Sequence, residues 1–378
     1  MSREDDVIVI GGGIAGCATA FYLARDGVQV RLLESRVIGG MASGANAGSL
    51  HAQIPHDPFR QLGADWALRF SPAVRLFIAS LALWRGLEND LGVDLEIKFG
   101  GGLLVGASDA EMREIEEKAA IERAAGLDVV PMDRSTLRQA APYLSDRLVG
   151  GAYCAAEGKA NPLLVAPAYA AAARAAGAIV ESGVGPAAIV RNGAGYSVHA
   201  GRAEYRARRI VIAAGMHSGE LTSMVGADLG IQAFPIQVSV TEPATDLIPH
   251  LVYCAGEKLT MKQTRTGSIL IGGGWPARLD SAGRPVVDIA SLAANLRVAC
   301  EVVPAIGGLN LVRSWAAYVN GTADWLPIIG ELPCAPGVFI NYVPWMGFTG
   351  GPAAARGVAD LVQGHAPGMD VEFAAFAP

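Results

Sequence analysis

The sequence predicts an α/β fold: a Rossmann-type domain joined to an α+β domain built on a mostly antiparallel sheet. Three observations predict it. The N-terminus reads as strand, glycine turn, helix, strand and acid. One later apolar run ends in small residues and another leads to a glycine-bearing turn, as strands returning to the same sheet would. Finally, the chain has 378 residues, 51% hydrophobic and 17% charged, which suits two cores rather than one.

The first strand is Val7-Ile8-Val9-Ile10, a run of β-formers fit for burial on both faces. It leads into Gly11-Gly12-Gly13-Ile14-Ala15-Gly16. The expected helix, Cys17 to Arg25, keeps Ala18 and Ala20 for close packing, and Gly27 stops it. Val28 to Leu33 is the second strand, and Glu34 stands at its end, 18 residues beyond Gly16. In such a unit Gly11 permits the tight turn, Gly13 lets backbone approach a pyrophosphate, and Gly16 lets helix and strand touch. The amides of the helix start face the phosphates, where the helix dipole also favours negative charge. Glu34 is placed to accept hydrogen bonds from ribose hydroxyls, and it would repel a ribose phosphate. The plainer alternative is a glycine-rich turn in an ordinary βαβ unit, which does not call for all five parts together.

The later passages favour FAD over NAD. Arg209-Ile210-Val211-Ile212-Ala213-Ala214-Gly215 reads as a buried strand returning to the cofactor. Val338 to Tyr342 reads as a strand, Trp345 to Gly351 as a turn, and Ala353 to Gln363 as a small-residue helix. A helix start there would aim amides at the flavin edge where charge gathers on reduction. Tight helix–sheet packing is the competing explanation of those small residues.

Composition sets bounds. The formal net charge is −6, which argues against general nucleic-acid binding. Five scattered cysteines and six scattered histidines give neither a disulfide frame nor a metal cluster, so buried thiols in a reducing compartment are expected. Charged residues Arg3 to Asp6 precede a short strand, unlike a secretory signal, and the apolar stretch Ala73 to Trp84 is interrupted by Arg75. That stretch is expected to be a buried or docking helix, with no transmembrane segment, and the expected location is cytoplasmic.

Taken in order, these passages resemble the D-amino-acid oxidase superfamily of flavoproteins, which includes glycine oxidases, sarcosine oxidases and D-amino-acid dehydrogenases. Besides the N-terminal grip, Ser43-Gly44-Ala45-Asn46-Ala47-Gly48-Ser49-Leu50 looks like the loop laid along the flavin ring. Asn161-Pro162-Leu163 looks like the motif before the second helix of the FAD domain. Arg313-Ser314-Trp315-Ala316-Ala317 and Thr322 to Gly330 look like the family's Trp-Ala-Gly and Pro-Asp-Gly runs, and Gly347-Phe348-Thr349-Gly350 matches its final flavin turn. The resemblance implies non-covalent FAD, contacted by Gly11, Gly13, Ile14, Ala15, Gly16, Glu34, Ser35, Arg36, Ser43, Asn46, Ala47, Gly48, Leu50, Val184, Ala214, Gly215, Gly330, Gly347, Phe348, Thr349 and Gly350. It implies a discontinuous FAD-binding domain (1–69, 142–228 and 325–378) and a substrate domain (70–141 and 229–324). Glu111 to Ala125 is expected to be a solvated amphipathic helix.

Several relatives pair the substrate carboxylate with an Arg shortly after the Trp-Ala-Gly run; here Val319 stands in that place, with Lys262, Arg265 and Arg313 as candidate substitutes. Sarcosine oxidases of the monomeric kind attach flavin through a Cys absent between Arg313 and Asp324, and place a Lys over the flavin where Leu270 falls here. The second departure points to a dehydrogenase rather than an oxidase. The implied chemistry is hydride transfer from an amine-bearing carbon to flavin N5, giving an imine that hydrolyses. Substrate-side candidates are His51, either a polar group near the flavin or a loop histidine bonded to backbone, and Tyr253 and Tyr318, either carboxylate donors or half-buried aromatics. The expected partners are a small-molecule amine or amino acid and an electron-accepting subunit. Two alternatives stay open: the flavin subunit of an opine-, proline- or sarcosine-type dehydrogenase, and a catalytically silent flavin-binding subunit.

Overall fold

In the computed structural model, residues 5–378 are described; the charged Arg3-Glu4 lead-in lies outside them. Strand β1 (Asp5–Ile10), helix α1 (Ile14–Arg25) and strand β2 (Val30–Glu34) form the expected N-terminal unit. Val7, Ile8 and Val9 are wholly buried, as their continuous apolar run requires. β1 lies between β2 and the strand Ala203–Ile212, parallel to both. Val338–Tyr342 adds in parallel beyond Ala203–Ile212, and Ile179–Ser182 adds in parallel beyond β2. Ile328–Glu331 closes one edge antiparallel, so the sheet is mixed.

A second sheet of eight strands is also mixed. Leu311–Gly321, Gln232–Pro243, Ser268–Gly272, Thr260–Gln263 and Leu251–Cys254 neighbour one another in that order through antiparallel pairings. Leu251–Cys254 then pairs in parallel with Gly102–Gly106, which pairs antiparallel with Gly150–Cys154. Gly150–Cys154 therefore does not lie with the first sheet, where the boundary at 142 would put it. The small residues of its Gly150-Gly151-Ala152 run let it pack against Met132 and Leu104.

The boundary at 69 falls inside a helix. His56–Leu91 runs through it, bent at Gly63, whose φ of 76° breaks the helical series. By length and composition this helix could cross a membrane, but half of its most apolar stretch is buried in the protein. Trp66, Phe70, Ala73, Val74, Phe77, Leu81 and Trp84 all point into the core shared with α1 and the C-terminal helix Gly347–Val362. The apolar face of Ala73–Trp84 is therefore interior and offers no docking surface.

Two further expectations change. Gly347–Gly350 is not a turn but the first turn of the C-terminal helix, which begins six residues before Ala353. A Cβ on Gly350 would meet Phe77 at 3.0 Å, and one on Gly351 would meet Ile14 at 3.1 Å, so these glycines seat the helix against its neighbours. The helix Asp109–Ala124 is not solvated all round, because Lys118 and Glu122 are fully buried. The cysteines are all free, with Cys17 and Cys154 buried but Cys334 exposed.

Trp84 joins the core to the C-terminal helix: its ring is wholly buried, and its Nε1–H donates to the Thr349 carbonyl at 2.9 Å. Trp84→Ala is expected to lower unfolding free energy by about 3–5 kcal/mol in denaturant titration. A loss below about 1 kcal/mol would show that the ring is not part of the packed core.

Candidate functional site

The N-terminal turn is built to leave an open, positive cradle. Gly11 has φ 113°, and a Cβ there would lie 2.4 Å from the Ala213 carbonyl oxygen. A Cβ on Gly16 would lie 1.9 Å from the Gly11 oxygen, so only glycine lets α1 start so close to β1. Gly13 caps α1 without a side-chain bond, and no acid occupies the first turn, where Ile14 and Ala15 lie. The positive end of the helix is thus not neutralised from within. Glu34 spans the turn: its carboxylate accepts from the Gly12 amide at 2.7 Å and from the Arg36 amide at 2.7 Å, with Ser35 Oγ at 3.2 Å. Val184 donates its amide to the Glu34 carbonyl, which places the turn after Ile179–Ser182 beside the acid. Ala214 and Gly215 (φ 56°) follow the strand that abuts Gly11.

The loop between β2 and Ser49 folds onto this turn. Ser43 Oγ accepts from the Ile14 amide at 2.9 Å. Asn46 spends its side chain locally, donating to the carbonyls of Ala42 and Ser43 and accepting from the Gly48 amide. Gly48 has φ 77°, and a Cβ there would strike the Ala160 oxygen at 2.2 Å. Trp315 Nε1–H donates to the Ala45 carbonyl at 2.8 Å, tying the loop to the second sheet. Leu50 is fully buried in the core and does not line the cavity described below. Gly330 lies in the antiparallel edge strand near Pro378, apart from the loop.

These segments close over a cavity of about 540 Å³. One wall is the loop (Ala45, Asn46, Ala47, Ser49, His51) and the start of the C-terminal helix (Met346, Phe348, Thr349). The opposite wall is a face of the second sheet, including Phe234, Ile236, Val238, Tyr253, Ala317, Tyr318 and Val319. The loop and the helix start both leave the C-terminal ends of parallel strands, where ligands of open α/β sheets bind. The C-terminal helix carries neither a side-chain cap nor an acid in its first turn. Glycine turns with no room for a side chain, and two helix starts with no acid in their first turns, fit a dinucleotide cofactor.

His51 and Tyr253 are brought together, with ring centroids 6.0 Å apart on the cavity wall. Burial and the nearby Lys262 lower the His51 pKa to about 4, so its ring is neutral at pH 7. The Tyr253 hydroxyl is buried beside the Glu157 carboxyl without a hydrogen bond, and burial raises its pKa. Tyr318 lines the cavity, but its hydroxyl donates to the Gly283 carbonyl at 2.9 Å, so that group is already spent. The candidate cations separate as well. Arg265 is exposed and clamps Asp94 with bonds of 2.6 and 2.7 Å, and Arg313 is exposed with its guanidinium over the Trp315 ring. Lys262 is buried behind the loop and donates to Ser49 Oγ. It lies directly across the strand pair from Leu270, so a cation stays on that part of the sheet although Leu270 is apolar.

Other residues at the site are not expected there from the sequence. Trp325 and Trp345, both at positive φ, stack 4.3 Å apart, and Phe234 stacks on Trp345 at 4.9 Å, forming an aromatic wall of the cavity. A buried polar network holds the segment after His51. Glu157 accepts from the Ala52 and Gln53 amides at 2.7 and 2.9 Å, and Glu122 accepts from Ile54 at 2.6 Å while pairing with Lys118. The i,i+4 spacing of Lys118 and Glu122 is the one signal of this network in the sequence, and it also suits a solvated face. His56 lines the cavity, and burial with Lys118 and Arg60 lowers its pKa to about 3.

The chain matches the family described as FAD dependent oxidoreductase (DAO) over residues 6–361. One of the subunits of the opine oxidase of Rhizobium meliloti is 30% identical over 346 residues, covering 89% of this chain and 88% of that protein. The beta subunit of the sarcosine oxidase of Rhizobium meliloti (strain 1021) is 26% identical, covering 96% of this chain and 85% of that one. Among solved structures, glycine oxidase from Geobacillus kaustophilus superposes with a TM-score of 0.84 at 24% identity, covering 100% of this chain and 98% of that one.

The geometry can be tested at the grip and at the buried histidines. Removing the Glu34 carboxylate (Glu34→Ala) is expected to weaken FAD about 10- to 100-fold, the worth of one or two charge-assisted hydrogen bonds. Titration of apoprotein with FAD measures this, and unchanged affinity would remove Glu34 from the grip. The histidines bear on acid stability. The folded-state pKa values of His51 and His56 lie below 6.5, so the unfolded chain binds these protons first. Their contribution is fully present above about pH 6.5 and is lost as pH falls towards 4. His56→Gln should reduce the slope of unfolding free energy near pH 5 by about 1.4 kcal/mol per pH unit. An unaltered slope in denaturant titrations at stepped pH would mean that His56 is charged in the fold.

Proposed function

Because the chain belongs to the FAD dependent oxidoreductase (DAO) family, we propose that it oxidises the C–N bond of an amino acid or secondary amine to an imine, which water hydrolyses. Bound FAD supplies the hydride acceptor, flavin N5. The observation that carries the reading is the cavity itself, bounded by the Ala42–Ser49 loop and the start of the C-terminal helix on one side and by an aromatic and aliphatic sheet face on the other. Its charged lining residues come only from Asp57, Arg60, Lys118, Glu257 and Lys258. The Ser49–Thr349 end is lined by neutral groups, and such surroundings favour the neutral amine, the form able to release hydride. Neutral His51 is the polar group there that orients the amine, and Tyr253 offers its ring, since its hydroxyl is buried toward Glu157. We assign the cofactor unit to 5–91, 155–228 and 325–378, and the substrate unit to the remainder.

A second reading, that the chain is the flavin subunit of a larger oxidoreductase, is favoured by two relatives of nearly the same length that are themselves subunits, of an opine oxidase and a sarcosine oxidase. The case for a dehydrogenase from Leu270 is offset by Lys262 on the paired strand. Both subunit relatives are named oxidases, so the acceptor is decided by reoxidation of the reduced protein.

Mixing the holoprotein without oxygen with pools of D-amino acids, N-methyl amino acids, proline analogues and opines tests the reading. One pool is expected to bleach the flavin band and so name the substrate class. If no pool does, with or without a copurifying partner, the chain is a silent subunit. With the substrate in hand, His51→Ala is expected to slow flavin reduction at least about tenfold, and wild-type reduction rates would remove His51 from the chemistry. Reoxidation of the reduced protein by oxygen and by a dye then ranks the two kinds of acceptor.

A further inference from the structure

Lys262 is 1% exposed, and its ammonium donates to one neutral group, the Ser49 hydroxyl. Among the described residues no carboxylate pairs with it. Other basic groups around the cavity are matched differently: Lys118 with Glu122, Arg60 with Glu114, and Lys258 with Asp57. Lys159, which also faces Lys262, donates to the Gln263 carbonyl and adds positive charge rather than cancelling it. A buried ammonium without a counterion is costly, and a fold keeps one only where it loses its proton or meets an anion. Burial and Lys159 lower the Lys262 pKa to about 7, which shows the cost and leaves the ammonium easily restored by a nearby negative charge.

The place of that anion follows from the surroundings. Ser49 lines the cavity, and its carbonyl accepts from Thr349 Oγ1 at 3.2 Å, at the start of the C-terminal helix. His51, the next cavity residue but one, feels the Lys262 charge. The lysine therefore sits directly behind the point where the cofactor loop, the C-terminal helix and the cavity meet. Arg265 and Arg313, exposed and engaged elsewhere, do not reach this point.

We propose that Lys262 is a positioning residue that, through the Ser49 hydroxyl, supplies the counter-charge for an anionic group received at the Ser49–Thr349 end of the cavity. Two sources carry that chemistry: the flavin once reduced, and the carboxylate of an amino-acid substrate. The choice of these two rests on the amine-oxidation reading above; the need of Lys262 for a counterion does not.

The test compares wild-type holoprotein with Lys262→Met and Lys262→Arg in two assays that need no turnover. One is the reduction potential of the bound flavin. The other is perturbation of the flavin band by anthranilate, an aromatic amine with a carboxylate, against aniline, which lacks it. A potential lower by about 30 mV or more in Lys262→Met, the equivalent of a tenfold change for a two-electron couple, assigns the anion to reduced flavin. An anthranilate affinity at least about tenfold weaker, with aniline unchanged and the potential unmoved, assigns it to the substrate carboxylate. In either case Lys262→Arg should recover part of the effect. If both quantities stay at wild-type values in Lys262→Met, the proposal is overturned. Should Lys262→Met not retain flavin, Ser49→Ala keeps the lysine but removes its partner, and its two readouts carry the same meaning. Because neither assay uses a turning-over substrate, a failed search for an oxidisable amine leaves both readable.

Discussion

Thr349 is the joint on which the site depends. Its hydroxyl accepts from the His51 amide at 3.1 Å and donates to the Ser49 carbonyl at 3.2 Å. Its carbonyl accepts from Ser80 Oγ at 2.6 Å and from Trp84 Nε1 at 2.9 Å. One fully buried residue thus ties the cofactor loop, the long helix and the start of the C-terminal helix. Buried polar groups of this kind fix a single arrangement, because leaving any one of them unpaired costs about 1–3 kcal/mol. Pro352 lies in the same helix and cannot donate to the carbonyl of Phe348, so the first turn relies on such outside partners.

The remainder of the site hangs from that joint. The segment after His51 is held from below by Glu157 and Glu122, whose carboxylates accept three consecutive amides. The loop before Ser49 is held from one side by Ile14 and from the other by Trp315. Rigid support on both flanks positions His51 against Tyr253, and the ammonium of Lys262 behind Ser49. Such fixed groups cost no reorganisation when charge moves in the cavity.

Much of this is legible in the sequence, for identifiable reasons. Gly11, Gly16 and Glu34 announce themselves because a backbone approach of under 3 Å tolerates one residue type, and the strand and helix around them have their own periodicities. The C-terminal helix is legible, but its start is not: glycines read as turn, and only the neighbours Phe77 and Ile14 show that they are packing contacts. The buried Lys118–Glu122 pair is hidden because the same spacing serves a wet surface. The sequence offers Lys262 only as one of three candidate cations, and strand pairing alone sets it across from Leu270. Tyr318 misleads for a related reason, since its hydroxyl is claimed by a carbonyl 35 residues away. Residues set by local backbone demands are thus readable, and those set by long-range pairing are not.

The glycine turn Gly11–Gly16, the loop before Ser49 and two helix starts free of first-turn acids are the cradle proposed for FAD, and the chemistry proposed for the cavity stands or falls with that cradle. The most direct measurement is the visible spectrum of the purified protein, followed by chromatography of the cofactor released on heat denaturation. Flavin absorption bands and about one equivalent of released FAD per chain are expected, with FAD bound as isolated or after its addition to apoprotein. Folded protein that carries no flavin and cannot be reconstituted with FAD would contradict the cradle.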